Sequence, residues 1–162
     1  MPGYGTRPAT LNDIDTLVRH RLGMFTEMGT TFDAPLIDGM FRAWLREMMP
    51  AGEYRAWLCE TDAGEVAAGA GITLLKWPPG PSPLRSERIA FVYNVYTEEA
   101  HRKRGLARRL METIHAWCID SKVAAVALNA APAAQHLYRT LGYVEAPSPM
   151  SWKVLQATVI GS

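Results

Sequence analysis

The segment Val92-Tyr93-Asn94-Val95-Tyr96-Thr97 runs on into His101-Arg102-Lys103-Arg104-Gly105-Leu106-Ala107-Arg108-Arg109. The first part is rich in aromatic and β-branched residues and predicts a strand. After the second, Leu106, Leu110, Met111, Ile114, Trp117 and Cys118 recur at helical spacing. The chain therefore has to fold as a strand that delivers a basic loop to the start of a helix. A helix N-terminus carries free N–H groups and partial positive charge, so it disfavours Lys and Arg. Here it receives Arg102, Lys103, Arg104, Arg108 and Arg109. A bound anion resolves the conflict, with backbone N–H groups and side-chain cations converging on phosphate. A solvated basic turn is the other reading. Gly105 favours the anion, because it lets the backbone approach a ligand closely.

The 162 residues form one expected domain, 1–162, large enough for a single core. The hydrophobic share of 48% and charged share of 20% are those of an ordinary globular chain. The formal net charge is +1, so no global field argues for nucleic acid or a membrane surface. Nucleic-acid binding through the basic cluster predicts a steep salt dependence. The lack of aromatic interleaving beside Arg102 to Arg109 counts against it. Cys59 and Cys118 are expected as buried free thiols, and neither has metal-ligand spacing, so no metal site is expected. The residues Met1 to Gly5 lack an apolar signal core, and no apolar run approaches the ~18 residues of a membrane span. The expectation is a cytoplasmic protein.

The rest of the chain fills in an α/β order. Tyr4 to Pro8 suits a short strand, and Thr10-Leu11-Asn12-Asp13 resembles a capping box ahead of a helix carrying Leu17, Val18, Leu22 and Phe25. Asp33 or Ala34 caps the next helix, with Pro35 in its first turn. Its stripe of Ile37, Met40, Phe41, Trp44, Leu45 and Met48 is expected to be core. Tyr54 to Glu60 and Val66 to Leu75 flank an Asp62-Ala63-Gly64 turn and predict a hairpin. Trp77 to Pro83 is expected as an irregular, Pro-rich surface loop. A strand over Arg88 to Thr97, a helix over Gly105 to Lys122, a buried strand over Val123 to Asn129 and a helix starting at Pro132 follow. Val144 and the run Met150 to Leu155 are candidates for closing strands. The order implies three layers around a central mixed sheet.

Two segments of this chain resemble motifs of the GNAT superfamily of acyl-CoA-dependent N-acyltransferases. Arg102-Lys103-Arg104-Gly105-Leu106-Ala107 matches its pyrophosphate-binding pattern Arg/Gln-x-x-Gly-x-Gly/Ala. Asn129, followed by Gln135-His136-Leu137-Tyr138-Arg139-Thr140-Leu141-Gly142-Tyr143, is similar to its later motif. The resemblance covers nearly the whole chain. It implies a twisted, mostly antiparallel mixed sheet of six to seven strands with about four helices. The central strands splay apart to form the acyl-CoA cleft.

By the same resemblance, pantetheine lies along the central strand beside Val95, Tyr96 and Thr97. Backbone N–H groups from Lys103 through Gly105, Leu106 and Ala107 to Arg108 cradle the pyrophosphate, and Arg102, Arg104 and Arg108 add charge. Asn129 and Gln135 contact the cofactor arm. The amine attacks the thioester directly, a strand N–H near Val95 stabilises the oxyanion, and Tyr138 protonates the departing thiolate. A core tyrosine at helical spacing is the plainer reading of Tyr138.

The chain departs from the family's pattern in one respect. Many members carry a Glu on the strand before the phosphate loop as general base, and Arg88 to Thr97 contains no carboxylate. Glu98 and Glu99 follow it and are expected as a solvated acidic turn. Candidates for the acceptor side are Glu27, Thr31, Phe32 and Asp33 from the loop between the first helices, with Tyr93 and Asn94 from the strand. His20, His115 and His136 fall on helices and are expected at the surface or satisfied in the core.

The resulting expectation is acetyl transfer from acetyl-CoA to a primary amine, a small molecule in preference to a basic peptide. The alternatives are a degenerate acyl-CoA-binding or regulatory module and a protein or peptide N-acetyltransferase. Family members are often dimers, and the aromatic second helix or the closing strands are candidates for an interface.

Overall fold

In the computed structural model, residues 3–76, 78 and 88–145 are described, together with the backbone of 158–160. The strands are β1 (Tyr4–Pro8), β2 (Tyr54–Thr61), β3 (Val66–Lys76), β4 (Arg88–Thr97), β5 (Ala125–Leu128), β6 (Tyr143–Glu145) and β7 (Thr158–Ile160). The helices are α1 (Ile14–Glu27), α2 (Ala34–Met48), α3 (Leu106–Asp120) and α4 (Gln135–Thr140). Short 3-10 turns precede α1, α3 and α4. One seven-stranded sheet runs β1-β2-β3-β4-β5-β7-β6. All its pairings are antiparallel except β4 with β5. The expected mixed sheet and helix layers are present. Trp77 and residues 79–83 of the Pro-rich loop, and Met150 to Leu155, lie outside the described residues. Gly105 stands just before α3 as its N-cap rather than within it.

Local chemistry explains the boundaries near the site. The Thr10 hydroxyl accepts from Asn12 N, and the Asp13 carboxylate accepts from Thr10 N at 2.7 Å, which is the capping box expected there. Arg7 on β1 also donates to Asp13, at 2.8 Å, and this pairing holds the Asp13 carboxyl below the usual carboxylate range. Strand and helix are thereby tied at the turn between them. Asp33 caps α2, its Oδ1 accepting from Leu36 N at 3.0 Å.

The period-two alternation of β2 feeds a separate core on each face of the sheet. Tyr54, Ala56 and Leu58 pack with Ile14, Leu17 and Val18 of α1 and with Phe41 and Leu45 of α2. Trp57 and Cys59 pack on the opposite face with Leu110, Met111 and Ile114 of α3, and that core extends to Tyr138 and Tyr143. Burying Leu58, Ile72, Leu110 and Ile114 completely stabilises the fold by roughly 1.5–3 kcal/mol each. Cys59 and Cys118 are buried, unpaired thiols. The α2 stripe departs from expectation, because Met40 is 61% exposed and Trp44 half-buried. No described helix is long and apolar enough to cross a membrane.

Two irregularities of β4 open the sheet at its centre. Its ladder with β5 extends from Ile89↔Ala125 to Val92↔Leu128 and then stops. Tyr93 to Thr97 are left with a described strand partner on the β3 side alone. On that side the register moves from Gly69↔Tyr96 to Gly71↔Tyr93, so β4 carries one residue more than β3. Asn94 sits in this bulge with φ +57°, the left-handed conformation that Asn tolerates better than most side chains.

Candidate active site

The first half of the site is the junction from β4 to α3. Gly105 caps α3 at φ +75° with no side-chain cap, and Lys103 is left-handed at φ +57°. A lysine in that conformation costs about 1 kcal/mol, a strain typical of ligand-binding turns. The first intrahelical acceptor is Gly105 O, used by Arg109 N. The N–H groups of Leu106, Ala107 and Arg108 therefore have no acceptor among the described residues. They converge where an anion is expected. Leu106 contributes only its backbone, because its side chain is buried in the core.

The cations of this loop are anchored to their surroundings. Arg102 pairs with Glu27 and donates from Nε to Thr97 O at 3.1 Å. Arg104 donates to the Tyr4 hydroxyl at 3.1 Å, and Arg109 to the Tyr4 carbonyl. Arg108 donates to Thr140 Oγ1 at 2.5 Å and faces Glu112 at 3.7 Å. Lys103 has no described ion-pair partner.

Across the gap lie the residues of the second motif. Asn129 is exposed just beyond β5, and Gln135 begins α4, where its side chain accepts from Arg139 at 3.2 Å. Tyr138 is buried in the core that includes Val92 and against which Val95 packs. Its ring meets Tyr143 edge-on at 5.6 Å. The Tyr138 hydroxyl makes no hydrogen bond among the described residues, and burial pushes its pKa up to about 12. Such a phenol keeps its proton at neutral pH.

The second half of the site is a cleft between α1, α2 and the β4 bulge, about 390 Å³ in volume. Ile37, Met40, Phe41 and Trp44 of α2 form one wall. Tyr54, Thr73, Tyr93 and Asn94 supply the sheet side, and Arg21 enters from α1. Arg21 Nη1 donates to Asn94 Oδ1 at 2.8 Å. Its guanidinium lies 4.9 Å from the Phe25 ring and 4.7 Å from the Phe41 ring. Burial lowers the Arg21 pKa, with Tyr54 and Tyr93 opposing, but a guanidinium stays charged. Tyr54 is buried, its pKa pushed to about 12 by desolvation. Asn94 lies close enough to oppose that shift, yet the Tyr54 hydroxyl has no hydrogen bond of proper geometry. Gly71 makes the room it needs, since a Cβ there would stand 2.0 Å from Tyr54 Oη.

Of the acceptor-side candidates, Tyr93 and Asn94 line this cleft, whereas Glu27, Thr31, Phe32 and Asp33 are not among its walls. Glu27 is turned to Arg102 and accepts from the Tyr96 hydroxyl at 3.1 Å. Phe32 packs edge-on against Phe25 at 5.6 Å, Asp33 is spent on the α2 cap, and Thr31 is exposed.

Glu98 corrects the expectation of a solvated turn. It accepts from Arg19 at 3.0 Å and pairs with His20 Nε2 at 3.1 Å, pinning α1 to the end of β4, while Glu99 is exposed. His20 is buried with its ring tilted against Tyr96 at 5.1 Å, and its Nδ1 has no hydrogen-bond partner among the described residues, so it is not the satisfied core histidine expected. Arg21, Tyr54 and Thr73 are cleft residues that sequence reasoning misses. No spacing rule links positions on a helix and two strands. The one available signal was Asn94 itself, a turn-preferring residue inside a strand run.

Comparison with known proteins places the chain. The sequence pattern of the Acetyltransferase (GNAT) family matches residues 21–143. A GCN5-related N-acetyltransferase from Ralstonia eutropha JMP134 is 31% identical and superposes with a TM-score of 0.79 over 94% of this chain and 99% of that one. A protein of Clostridium acetobutylicum described as a predicted acetyltransferase, solved with acetyl-CoA, gives 0.81 at 20% identity over 91% and 94% of the two chains. A glucosamine-6-phosphate N-acetyltransferase from Arabidopsis thaliana gives 0.68 at 18% identity over 91% and 96%. The last two likenesses are of fold. No curated protein sequence matches the chain.

Proposed function

The chain belongs to the GNAT acetyltransferase family, whose acetyl donor is acetyl-CoA, and from that premise we propose that it acetylates the primary amine of a small molecule by direct attack. One observation carries the reading. β4 leaves β5 after Val92, and the loop that follows ends at a left-handed Gly105 with the Leu106, Ala107 and Arg108 N–H groups free. The donor's residues fit that opening. Val95, Tyr96 and Thr97 present the strand edge, Lys103 to Arg108 present N–H groups to pyrophosphate, and Asn129 and Gln135 stand on the far side. Acetyl-CoA supplies a thioester whose acetyl group goes to the amine and whose sulfur leaves as thiolate.

This chain's own residues do the rest. Tyr138 holds a proton at its hydroxyl, within the core beside Val95, and gives it to the departing sulfur. The bulge at Asn94 turns strand N–H groups out of the β3 ladder, where they stabilise developing charge on oxygen. The described walls of the cleft include no carboxylate, so solvent takes the proton of the incoming ammonium, and the second nitrogen proton, lost as the amide forms, returns through solvent to Tyr138. The small volume and apolar lining of the cleft favour a small acceptor over a basic peptide.

Titration with acetyl-CoA, followed by thiol release against a broad panel of amines and peptides, tests the reading. The wild type should bind saturably. Gly105→Glu, which adds a side chain and a negative charge at the cap, should weaken binding at least ~100-fold. Binding without turnover on any amine would make the chain an acyl-CoA-binding module. No binding at all would remove the acetyltransferase reading.

A further inference from the structure

We propose that the cleft beside Asn94 takes an amine that also carries a carboxylate on an apolar body, as a hydrophobic amino acid does, and that Arg21 anchors the carboxylate. The proposal rests on the acetyl-transfer reading for the amine and adds the other end of the acceptor.

Charge accounting supports it. Arg7, Arg19, Arg42, Arg102, Arg108 and Arg139 each face a carboxylate. Arg21, like the exposed Arg46, Arg55 and Arg104 and like Arg109, has no ion-pair partner among the described residues; it differs from them in lying half-buried in a cleft that no Asp or Glu lines. Its one hydrogen bond goes to a neutral amide oxygen, Asn94 Oδ1, so the rest of the guanidinium fork has no described acceptor. The rings of Phe25 and Phe41 flank it at 4.9 and 4.7 Å. Ring faces attract the cation but accept no in-plane hydrogen bond, so they orient the fork without using it. A carboxylate satisfies such a fork with two parallel bonds.

The Tyr54 hydroxyl, on the sheet side of the cleft, adds to this. It is buried with no hydrogen bond of proper geometry among the described residues, although Asn94 lies close to it. Buried polar groups of this kind are uncommon, and an acceptor held between Tyr54 and Arg21 would satisfy it. One guanidinium balances one negative charge. A phosphate dianion would call for a second cation, and the described walls hold none. The remaining walls are Ile37, Met40, Trp44 and Tyr93, which suit an aliphatic or aromatic side chain, and Thr73. The volume, about 390 Å³, falls at the small end of the ~300–1,000 Å³ usual for small-molecule sites.

The competing account is that Arg21 merely pins the Asn94 bulge. Two measurements on the full chain separate them. N-acetyl derivatives of L-phenylalanine, L-leucine and L-methionine, and their carboxamides, are titrated calorimetrically into wild type, Arg21→Gln and Arg21→Lys. The free amino acids and their amides are then compared as acceptors by thiol release. The wild type should prefer acid over amide by at least ~10-fold for one or more bodies, the size of a charge-assisted pair. Arg21→Gln should bring that ratio to about one, and Arg21→Lys should keep part of it, having charge without the fork. The acetyl-CoA dissociation constant, unchanged within about twofold, reports that both variants are folded.

A wild-type ratio near one across the panel overturns the proposal, as does an Arg21→Gln variant that weakens acid and amide alike. The two readings fail separately. Loss of acetyl-CoA binding with the acid preference intact removes acetyl transfer and leaves the anion site. Turnover of uncharged amines with acids rejected does the reverse.

Discussion

The two sides of the end of β4 present different kinds of surface to a ligand. Toward β5 the site consists of main-chain N–H groups and an unpaired strand edge, and the nearby cations are tied to Glu27, Tyr4 and Thr140. Toward α1 and α2 it consists of rings and one half-buried guanidinium, brought together by packing. A site made of backbone is fixed by the conformation of a few consecutive residues. A site made of side chains is fixed by whatever holds three or four elements together. The first should resist substitution except where a residue sets the backbone. The second should respond to changes in the core beneath it.

The strongest way to break this contrast is at Tyr138, the one side chain that the donor half is asked to supply for chemistry. Tyr138→Phe should lower kcat about 100-fold, the usual size of a general-acid contribution, and change acetyl-CoA binding far less. An unchanged rate at saturating amine would mean that the donor half works through backbone alone.

Gly71→Ala sharpens the contrast from the other side. The new Cβ would stand 2.0 Å from the Tyr54 hydroxyl, so Tyr54 must move into the cleft. Overpacking of this kind costs roughly 1–3 kcal/mol, readable as a lower urea midpoint. The amine KM should rise while the acetyl-CoA dissociation constant holds. Equal effects on both ligands would show that the two halves are not separately built.

The smallest effect concerns stability against pH. Burial lowers the pKa of His20, with Glu98 opposing and Arg19 reinforcing, and burial also lowers that of His115. The folded chain therefore binds these protons less readily than the unfolded chain. Stability should be complete above the ordinary histidine value of about 6.5 and decline as pH falls below it, by at most ~1.4 kcal/mol per pH unit for each group. Urea unfolding at pH 7.5 and 5.5 measures the slope, and His20→Gln should reduce it. A flat profile would show that folding shifts neither histidine, and stability that rises as pH falls would show that Glu98 keeps His20 protonated in the fold.

Legibility in the sequence follows the same division. Arg102 to Ala107 can be recognised in one line because a backbone cradle needs consecutive residues. The Tyr138 context can be recognised because a helical period places it. The strand Arg88–Thr97 and the two motif helices emerge from apolar spacing for the same reason. Arg21, Tyr54 and Thr73 carry no such signal, since they become neighbours only when α1 and the first sheet strands pack. Met40 and Trp44 read as core in the sequence because a helical stripe records that a face is apolar, not what covers it. Glu98 looked solvated because its partners, Arg19 and His20, are far away in the chain.

The sheet keeps two cores that share it as a common wall, one beneath α1 and α2 and the other beneath α3 and α4. Residues so separated act on stability almost independently. Descent with modification can therefore rework one tool while the handle and the other tool stay as they are. If the cleft holds the acceptor as proposed, drift in α2, where Met40 and Trp44 are only partly covered, would change which molecule is grasped at little cost to the grip on the acetyl donor. A lineage with this plan can retarget its chemistry one helix face at a time.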